Sequence, residues 1–139
     1  METVIAYTSG SAHGNPGPAG VGVYGTTVKG TVVCEVKKAI GNADTNFAAY
    51  YAVMLALDTL KQIYGPATKT IHFEFRLDSE LVKKQLNSEY QINEPGLVPM
   101  FIEIHNQCVV DFPNITLTHV SDAENKEAHR LAEEAVNGK

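Results

Sequence analysis

The chain begins with three strand-like segments in succession and then alternates helical and strand-like segments, and this order restricts the fold more than any other feature. The predicted strands are Thr3–Thr8, Gly20–Thr27, Thr31–Ile40, Thr70–Leu77 and Ile115–Val120. Three strands joined by short turns, followed by β/α alternation, give one mixed sheet with helices packed on it. We therefore predict a single α/β domain over residues 1–139, with a five-stranded mixed sheet in the order β-β-β-α-β-α-α-β-α.

The predicted helices are separated by clear capping and stop signals. The first, within GNADTNFAAYYAVMLALDTLKQIYG, can be capped by Asp44 or Thr45 and is stopped by Gly65-Pro66. The later helical segments run from Asp78-Ser79 to about Leu86, over Pro95–Val110 and over Glu124–Val136. In sheets of this kind, functional side chains gather at the carboxyl ends of the parallel strands. Ser9 and Asp78 follow directly on two predicted strands, which makes them the first candidate site residues.

Net charge, cysteine positions and apolar run lengths indicate which partners and which cellular compartment to expect. The chain has 11 basic and 16 acidic residues and a net charge of −5, whereas dedicated nucleic-acid binders of this size are more often basic. Cys34 and Cys108 lie in apolar runs and match no metal-ligand spacing, so we expect buried thiols in a reducing compartment. No apolar run approaches the ~20 residues of a membrane span, and no signal peptide is recognised. We expect a cytoplasmic monomer that makes no membrane contact.

Four segments of the sequence resemble the ribonuclease H family. YTSGSAHGNPGPAGVGV resembles its signature, in which a strand ends in Asp-Gly-Ser and continues to Gly-Asn-Pro-Gly-Pro. DTN followed by YYAV looks like the first helix of that family. RLDSELVKKQLNSEY looks like its fourth strand and the helix after it, and HVSDAENKEAHRLAEEA looks like its last strand, loop and helix. The likeness covers nearly the whole chain and is nearest to the compact type-one members that lack the basic handle helix. It implies the ribonuclease H-like fold and, as the family activity, cleavage of RNA in RNA/DNA hybrids.

The resemblance also implies a catalytic centre from which this chain departs. The family uses four carboxylates to hold two Mg²⁺ ions, which activate water and stabilise the leaving oxygen. Ser9, Tyr50 and His129 stand where the family has Asp, Glu and Asp, and Asp78 is kept. With most of the anionic charge gone, we expect two-metal hydrolysis to be lost. The departures concentrate in the pocket and its rim, including Phe47-Ala48, which favours a pocket rebuilt by divergence or by engineering.

The function that we predict from the sequence is binding of one transition-metal ion in this pocket, by a scaffold that no longer cleaves hybrids. Asp78 and His129 suit Zn²⁺, Co²⁺, Ni²⁺ or Fe²⁺ better than Mg²⁺, because imidazole is a softer ligand than carboxylate. Two protein ligands are too few for tight binding, so a third donor is required, and the Tyr50 phenolate is the first choice. The other candidate donors are His13, Glu124 and Asp122. The alternative is that His129 fills the pocket and hydrogen-bonds Asp78.

A second interpretation is nucleophilic catalysis by Ser9, His129 and Asp78, which have the composition of a catalytic triad. A serine hydrolase would need a contact of ~2.6–3.2 Å between the serine and the histidine, together with an oxyanion hole. The backbone amides of Gly10 and Ser11 are available for that hole. The alternative is that Ser9 is a small polar residue that removes a negative charge.

A third interpretation is a binding domain. By the resemblance, Asn15, Thr45 and Asn46 correspond to residues that contact the sugar-phosphate backbone of an RNA/DNA hybrid, where recognition depends on shape and on 2′-OH contacts. A domain without nuclease activity could still bind a hybrid weakly, and residual hybrid-specific ribonuclease activity is the further alternative. The same three residues could instead cap the helix and shape the loop.

Overall fold

The computed structural model describes residues 2–138, and within this range five strands form one mixed sheet in the order β3-β2-β1-β4-β5. The strands are β1 (Thr3–Ala12), β2 (Gly17–Thr27), β3 (Val32–Ala43), β4 (His72–Leu77) and β5 (Ile115–His119). β2 pairs antiparallel with both β1 and β3, whereas β4 pairs parallel with both β1 and β5. The predicted five-stranded mixed α/β sheet is confirmed.

The helices of the described range are α1 (Thr45–Tyr64), α2 (Glu80–Leu86), α3 (Val98–Asp111) and α4 (Lys126–Val136). Both α3 and α4 start later than the sequence predicts, because a short 3₁₀ turn precedes each of them. The turn before α4 is closed by a capping box, in which Ser121 and Glu124 each bond the other's backbone N–H. None of these helices is long and apolar enough to cross a lipid bilayer.

The main core lies between α1 and the central strands. Every second residue of β4 faces this core, since Phe73, Phe75 and Leu77 are all buried. They pack in one cluster with Leu57 and Leu60 of α1. Each fully buried side chain of this size contributes about 1.5–3 kcal/mol relative to an exposed one. This packing fixes α1 against the sheet and so fixes the position of its first turn at the sheet edge.

β1 and β2 are longer than predicted, and their glycines explain the difference. The Gly/Pro-rich composition predicts a loop from Ser9, but β1 continues to Ala12 and β2 begins at Gly17. These glycines let helices pack directly on the strand backbone. A Cβ at Gly10 would lie 2.4 Å from the Ala48 carbonyl carbon of α1, and one at Gly22 would lie 2.2 Å from the Ala128 oxygen of α4.

Ser9 therefore lies inside β1, paired with Gly22, and not at the end of a strand as the sequence suggests. Its position is still special, because the parallel pairing of β1 with β4 stops at Thr8 and Leu77. Ser9 is thus the first residue of β1 beyond the end of β4. It stands beside Asp78, the residue that follows β4.

The two cysteines carry free thiols and are half-buried, which is less complete burial than the sequence predicts. Burial raises the pKa of the Cys108 thiol to about 11. Burial also raises the pKa of Cys34, although a hydrogen bond with the Gly25 backbone opposes the shift. Both thiols stay protonated at neutral pH, which keeps them poor nucleophiles.

We expect Gly22→Ala to lower the free energy of unfolding by about 3 kcal/mol, because the new methyl group would overlap the backbone of α4. Urea denaturation measures the change. Gly96→Ala is the matched control, since no atom lies within 4 Å of its added Cβ, and it should change stability by less than about 0.5 kcal/mol. Equal losses in the two variants would contradict direct packing of α4 on β2.

Candidate functional site

A pocket of about 360 Å³ opens at the sheet edge, where β1 extends beyond β4. Its lining includes Gly10, Ser11, Thr45, Asp78, Asp122 and His129. The volume lies within the range of about 300–1,000 Å³ that is usual for ligand sites. β1, α1, α4 and the segment after β4 all contribute to it. The fold therefore brings Asp78 and His129 into one pocket, with Thr45 at its rim.

Asp78 is held by Ser9 through a hydrogen bond across the end of the β1–β4 ladder. The Ser9 Oγ donates to the Asp78 Oδ2 at 2.8 Å, and Ser9 is only 2% exposed. The next residue, Ser79, accepts the Val82 N–H and caps α2, so the carboxylate stands immediately before a helix. Ser9 thus orients the one carboxylate that matches the family pattern.

The Ser9/His129/Asp78 triad is not formed in this structure. A triad needs an accessible serine that donates to the histidine. Ser9 is buried and donates to Asp78, and within residues 2–138 no hydrogen bond joins it to His129. His129 is exposed on α4. The Asp78 carboxylate therefore takes the histidine's place as the partner of Ser9, and His129 is not placed to act as the general base of a triad.

Tyr50 faces the core instead of the pocket. Its side chain is 0% exposed, and its hydroxyl donates to the Gln85 Oε1 of α2 at 2.8 Å. Burial, with a smaller contribution from the charge of Glu94, raises the pKa of Tyr50 to about 12. A phenolate is therefore disfavoured at neutral pH. The structure does not support Tyr50 as the third metal donor.

The other candidate donors do not complete a metal site. Among the residues that the structure describes, no three His, Cys, Asp or Glu side chains are grouped so as to hold an ion. Glu124 is engaged in the capping box with Ser121, and the His13 Nε2 lies 3.2 Å from Glu133. Asp122 lines the pocket together with Asp78, but two carboxylates, a neutral hydroxyl and an exposed imidazole do not match the carboxylate-rich environment that two Mg²⁺ ions require.

Glu133 of α4 is a carboxylate that the sequence does not single out and that contacts Ser11, one of the residues lining the pocket. The Ser11 Oγ donates to its Oε2 at 2.7 Å, and this bond, supported by contact with His13, lowers the pKa of Glu133. Its spacing of four residues from His129 places both on one face of α4. That spacing is visible in the sequence, but the hydroxyl partner on β1 becomes apparent only in the fold.

The rim residues have separate roles. The Asn15 Oδ1 accepts the Thr45 N–H at 3.2 Å, so the loop after β1 is tied to the first turn of α1. The Asn46 Nδ2 instead donates to the Glu94 Oε1 at 2.8 Å. The helix cap is Asp44, whose carboxylate accepts the Phe47 N–H at 2.7 Å. Asn15 and the exposed Thr45 are therefore brought together, whereas Asn46 is engaged with Glu94.

The chain matches a known protein family along almost its whole length. A family model described as "Reverse transcriptase-like" matches residues 7–135. Ribonuclease HI of Halobacterium salinarum is 35% identical over 134 residues, which cover 96% of this chain and 64% of that protein. A bifunctional protein of Mycobacterium tuberculosis is 31% identical over 135 residues, which cover 96% of this chain and 35% of that protein. This chain spans less than two thirds of either relative.

Solved structures give the same result for the fold. LC11-RNase H1, isolated from compost by a metagenomic approach, superposes with a TM-score of 0.94 at 36% identity and covers 99% of this chain and 98% of its own. The structure of the same protein in complex with an RNA/DNA hybrid superposes with a TM-score of 0.93 at 36% identity, and 97% of both chains is covered. RNase H1 of Halobacterium salinarum NRC-1 superposes with a TM-score of 0.88 at 35% identity, and 99% of both chains is covered.

We expect Tyr50 to ionise late among the six tyrosines, with a pKa of about 12, because its phenol is buried against Gln85. The ultraviolet absorbance of tyrosinate follows the titration. In the unfolded chain the Tyr50 phenol releases its proton near pH ~10. The stabilisation of the folded state by the neutral, buried phenol is therefore complete below that pH, and it declines as the pH rises towards 12.

Tyr50→Phe should remove the late step and lower the free energy of unfolding by about 1–3 kcal/mol, because the buried Gln85 oxygen loses its donor. Tyr90→Phe is the matched control, since that ring is 51% exposed. An unchanged late step in Tyr50→Phe would show that another tyrosine is the buried one.

Proposed function

The chain belongs to the ribonuclease H family, and on that premise we propose that it binds RNA/DNA hybrids at the Asp78–His129 pocket without efficient two-metal cleavage. The observation that carries the proposal is the rim, where Asn15 orders the first turn of α1 and leaves Thr45 exposed. Hydroxyl, amide and backbone N–H groups at helix starts are the usual contacts to phosphate and sugar oxygens. One solved relative was determined in complex with an RNA/DNA hybrid.

The charge of the pocket supports binding that does not depend on a metal. A cluster of four carboxylates repels phosphates until cations neutralise it, at about 1–4 kcal/mol for each close pair of charges near a protein surface. Ser9 and Tyr50 are neutral and His129 adds no negative charge, so Asp78 and Asp122 are the carboxylates among the lining residues. A phosphate approaching Asp78 therefore meets less repulsion than it would at an intact centre. The net charge of −5 keeps the expected affinity low and dependent on salt.

The side chains available in the pocket as metal ligands argue against efficient cleavage. Two-metal hydrolysis depends on carboxylates that hold both ions against the scissile phosphate. Here Ser9 already donates to Asp78, and Tyr50 is buried against Gln85. These side chains can orient one carboxylate and contact a hybrid. They do not supply the negative charge that a pair of dications needs.

A single transition-metal ion is the second candidate, because Asp78 and His129 line the same pocket. With two protein ligands, the ion would be held weakly and would keep most of its water. Cobalt titration followed by visible absorption distinguishes this candidate. Saturable bands on addition of Co²⁺ that disappear in His129→Ala would favour it over a metal-free pocket.

We expect a labelled RNA/DNA hybrid to bind equally well with Mg²⁺ and with a chelator, and to bind more weakly as salt rises. Fluorescence anisotropy measures the affinity. Asn15→Ala should weaken binding about tenfold, because the loop is no longer tied to Thr45. Asn106→Ala, an exposed asparagine on α3, is the matched control and should bind like the parent.

The same preparation tests cleavage with a hybrid labelled on its RNA strand. We expect no products with Mg²⁺ or Mn²⁺ under conditions in which the hybrid is bound. Products that disappear in Asp78→Asn would overturn the claim that cleavage is lost and leave the binding claim standing. Failure of the hybrid to bind at low salt would overturn the binding claim.

A further inference from the structure

The face of the sheet on which α4 packs is covered over only part of its area. α4 lies against β2 at Gly20 and Gly22, where added Cβ atoms would meet its backbone. On the same sheet, Thr116 and Thr118 of β5 are exposed and Arg76 of β4 is half-buried. The part of this face formed by the start of β1, β4 and β5 is therefore open to solvent.

An aromatic row crosses this open face. Tyr24 pairs with Tyr7 in β1, and Tyr7 pairs with Arg76 in β4, so the three side chains lie side by side. The two tyrosine rings are 6.3 Å apart at 47°. The Arg76 guanidinium lies 5.3 Å from the Tyr7 ring centre, and its Nη1 donates to the Tyr7 hydroxyl at 2.7 Å. These contacts hold the Tyr7 ring in a fixed orientation.

A cavity of about 410 Å³ lies between this row and the start of α4, and it is larger than the Asp78–His129 pocket. Tyr7, Tyr24 and Thr26 form its sheet side. Glu124, Lys126 and Glu127 form the opposite side. Its volume suits a ligand of nucleoside size. The hybrid-binding proposal makes no use of this cavity.

The groups around the cavity favour a neutral planar ligand with both donors and acceptors on its edge. The Tyr24 ring offers a stacking face, whereas Arg76 already lies over one face of the Tyr7 ring. Lys126 and the first N–H groups of α4 are donors, since no side chain in the described residues caps that turn. Glu124 accepts from Ser121 through its Oε1 and Glu127 accepts from Arg130 through its Oε2, so the other oxygen of each carboxylate remains an acceptor. Their two negative charges balance Lys126 and the nearby Arg76, which leaves no excess positive charge for a phosphate. This combination matches the edge and the faces of a nucleobase.

We propose that the Tyr7–Tyr24 cavity binds one unpaired nucleobase, either in a free nucleoside or at a single-stranded end of a nucleic acid. Stacking on tyrosine tolerates any base, because every base has an aromatic face. Tyr7 and Ser9 are two residues apart on one face of β1, about 7 Å along the strand. The cavity therefore neighbours the Asp78–His129 pocket, and a strand leaving that pocket could place a base in it.

The first test is titration with adenosine, followed by saturation-transfer NMR and calorimetry. We expect saturable binding that is weakened about tenfold or more in Tyr24→Leu, which keeps apolar volume but removes the ring. Tyr24→Phe should retain binding, because stacking needs the ring and not the hydroxyl. Tyr90→Leu, an exposed tyrosine beside Lys84 of α2, is the matched control and should bind like the parent.

Three outcomes would overturn the proposal. One is the absence of saturable adenosine binding, and another is equal binding by Tyr24→Leu and the parent. The third is much tighter binding of adenosine 5′-monophosphate, which would identify a phosphate site. Circular dichroism and the thermal midpoint of Tyr24→Leu confirm that the variant is folded. None of these measurements uses a hybrid, so the result is separate from the hybrid-binding proposal.

A second test distinguishes the two sources of the base. Blunt RNA/DNA hybrids are compared with hybrids that carry a short single-stranded extension. Tighter binding of the extended hybrid by the parent, but not by Tyr24→Leu, identifies the base of a single-stranded end. Adenosine binding without any effect of the extension identifies a free nucleoside.

Discussion

Direct packing of two helices on the glycine backbone of β1 and β2 is the constraint on which the rest of the molecule depends. Gly10 admits α1 on one face of the sheet, and Gly22 admits α4 on the other. A methyl group at either position would overlap helix backbone, so the helices could not approach as closely. This approach brings Thr45 of α1 and His129 of α4 to the same end of β1. The Asp78–His129 pocket is the space left between them.

The sequence predicts well those parts of the fold that depend on local periodicity. The alternation in β4 and the cap and stop signals of α1 give the correct elements, because burial of every second residue and helix capping act over a few positions. The extension of β1 through Ser9 was missed for the opposite reason. Glycine and proline between strands are typical of a loop, whereas here Gly10 and Gly17 are required by the close approach of other chain segments.

The same distinction applies to the site. Position by position, the family resemblance located Asp78 and His129, and the fold places both in one pocket. It did not reveal that Tyr50 turns to Gln85, because the partner of a buried hydroxyl depends on packing between helices 35 residues apart. Glu133 was missed because its partner, Ser11, is 122 residues away in sequence. The roles of Tyr50 and Glu133 therefore depend on hydrogen bonds between residues far apart in sequence, which residue type alone does not predict.

Strand β1 connects the two cavities. Its alternate residues lie on the face of the sheet that carries α4, and they contribute to both cavities. Tyr7 lies at the aromatic cavity, Ser9 holds Asp78, and Ser11 holds Glu133. Neutral hydroxyls therefore lie along one line of β1, and those of Ser9 and Ser11 each donate to a carboxylate. An ionised carboxylate at Ser9 would repel Asp78 and any phosphate beside it. The neutral hydroxyl removes that repulsion and, with it, the charge that would attract divalent cations.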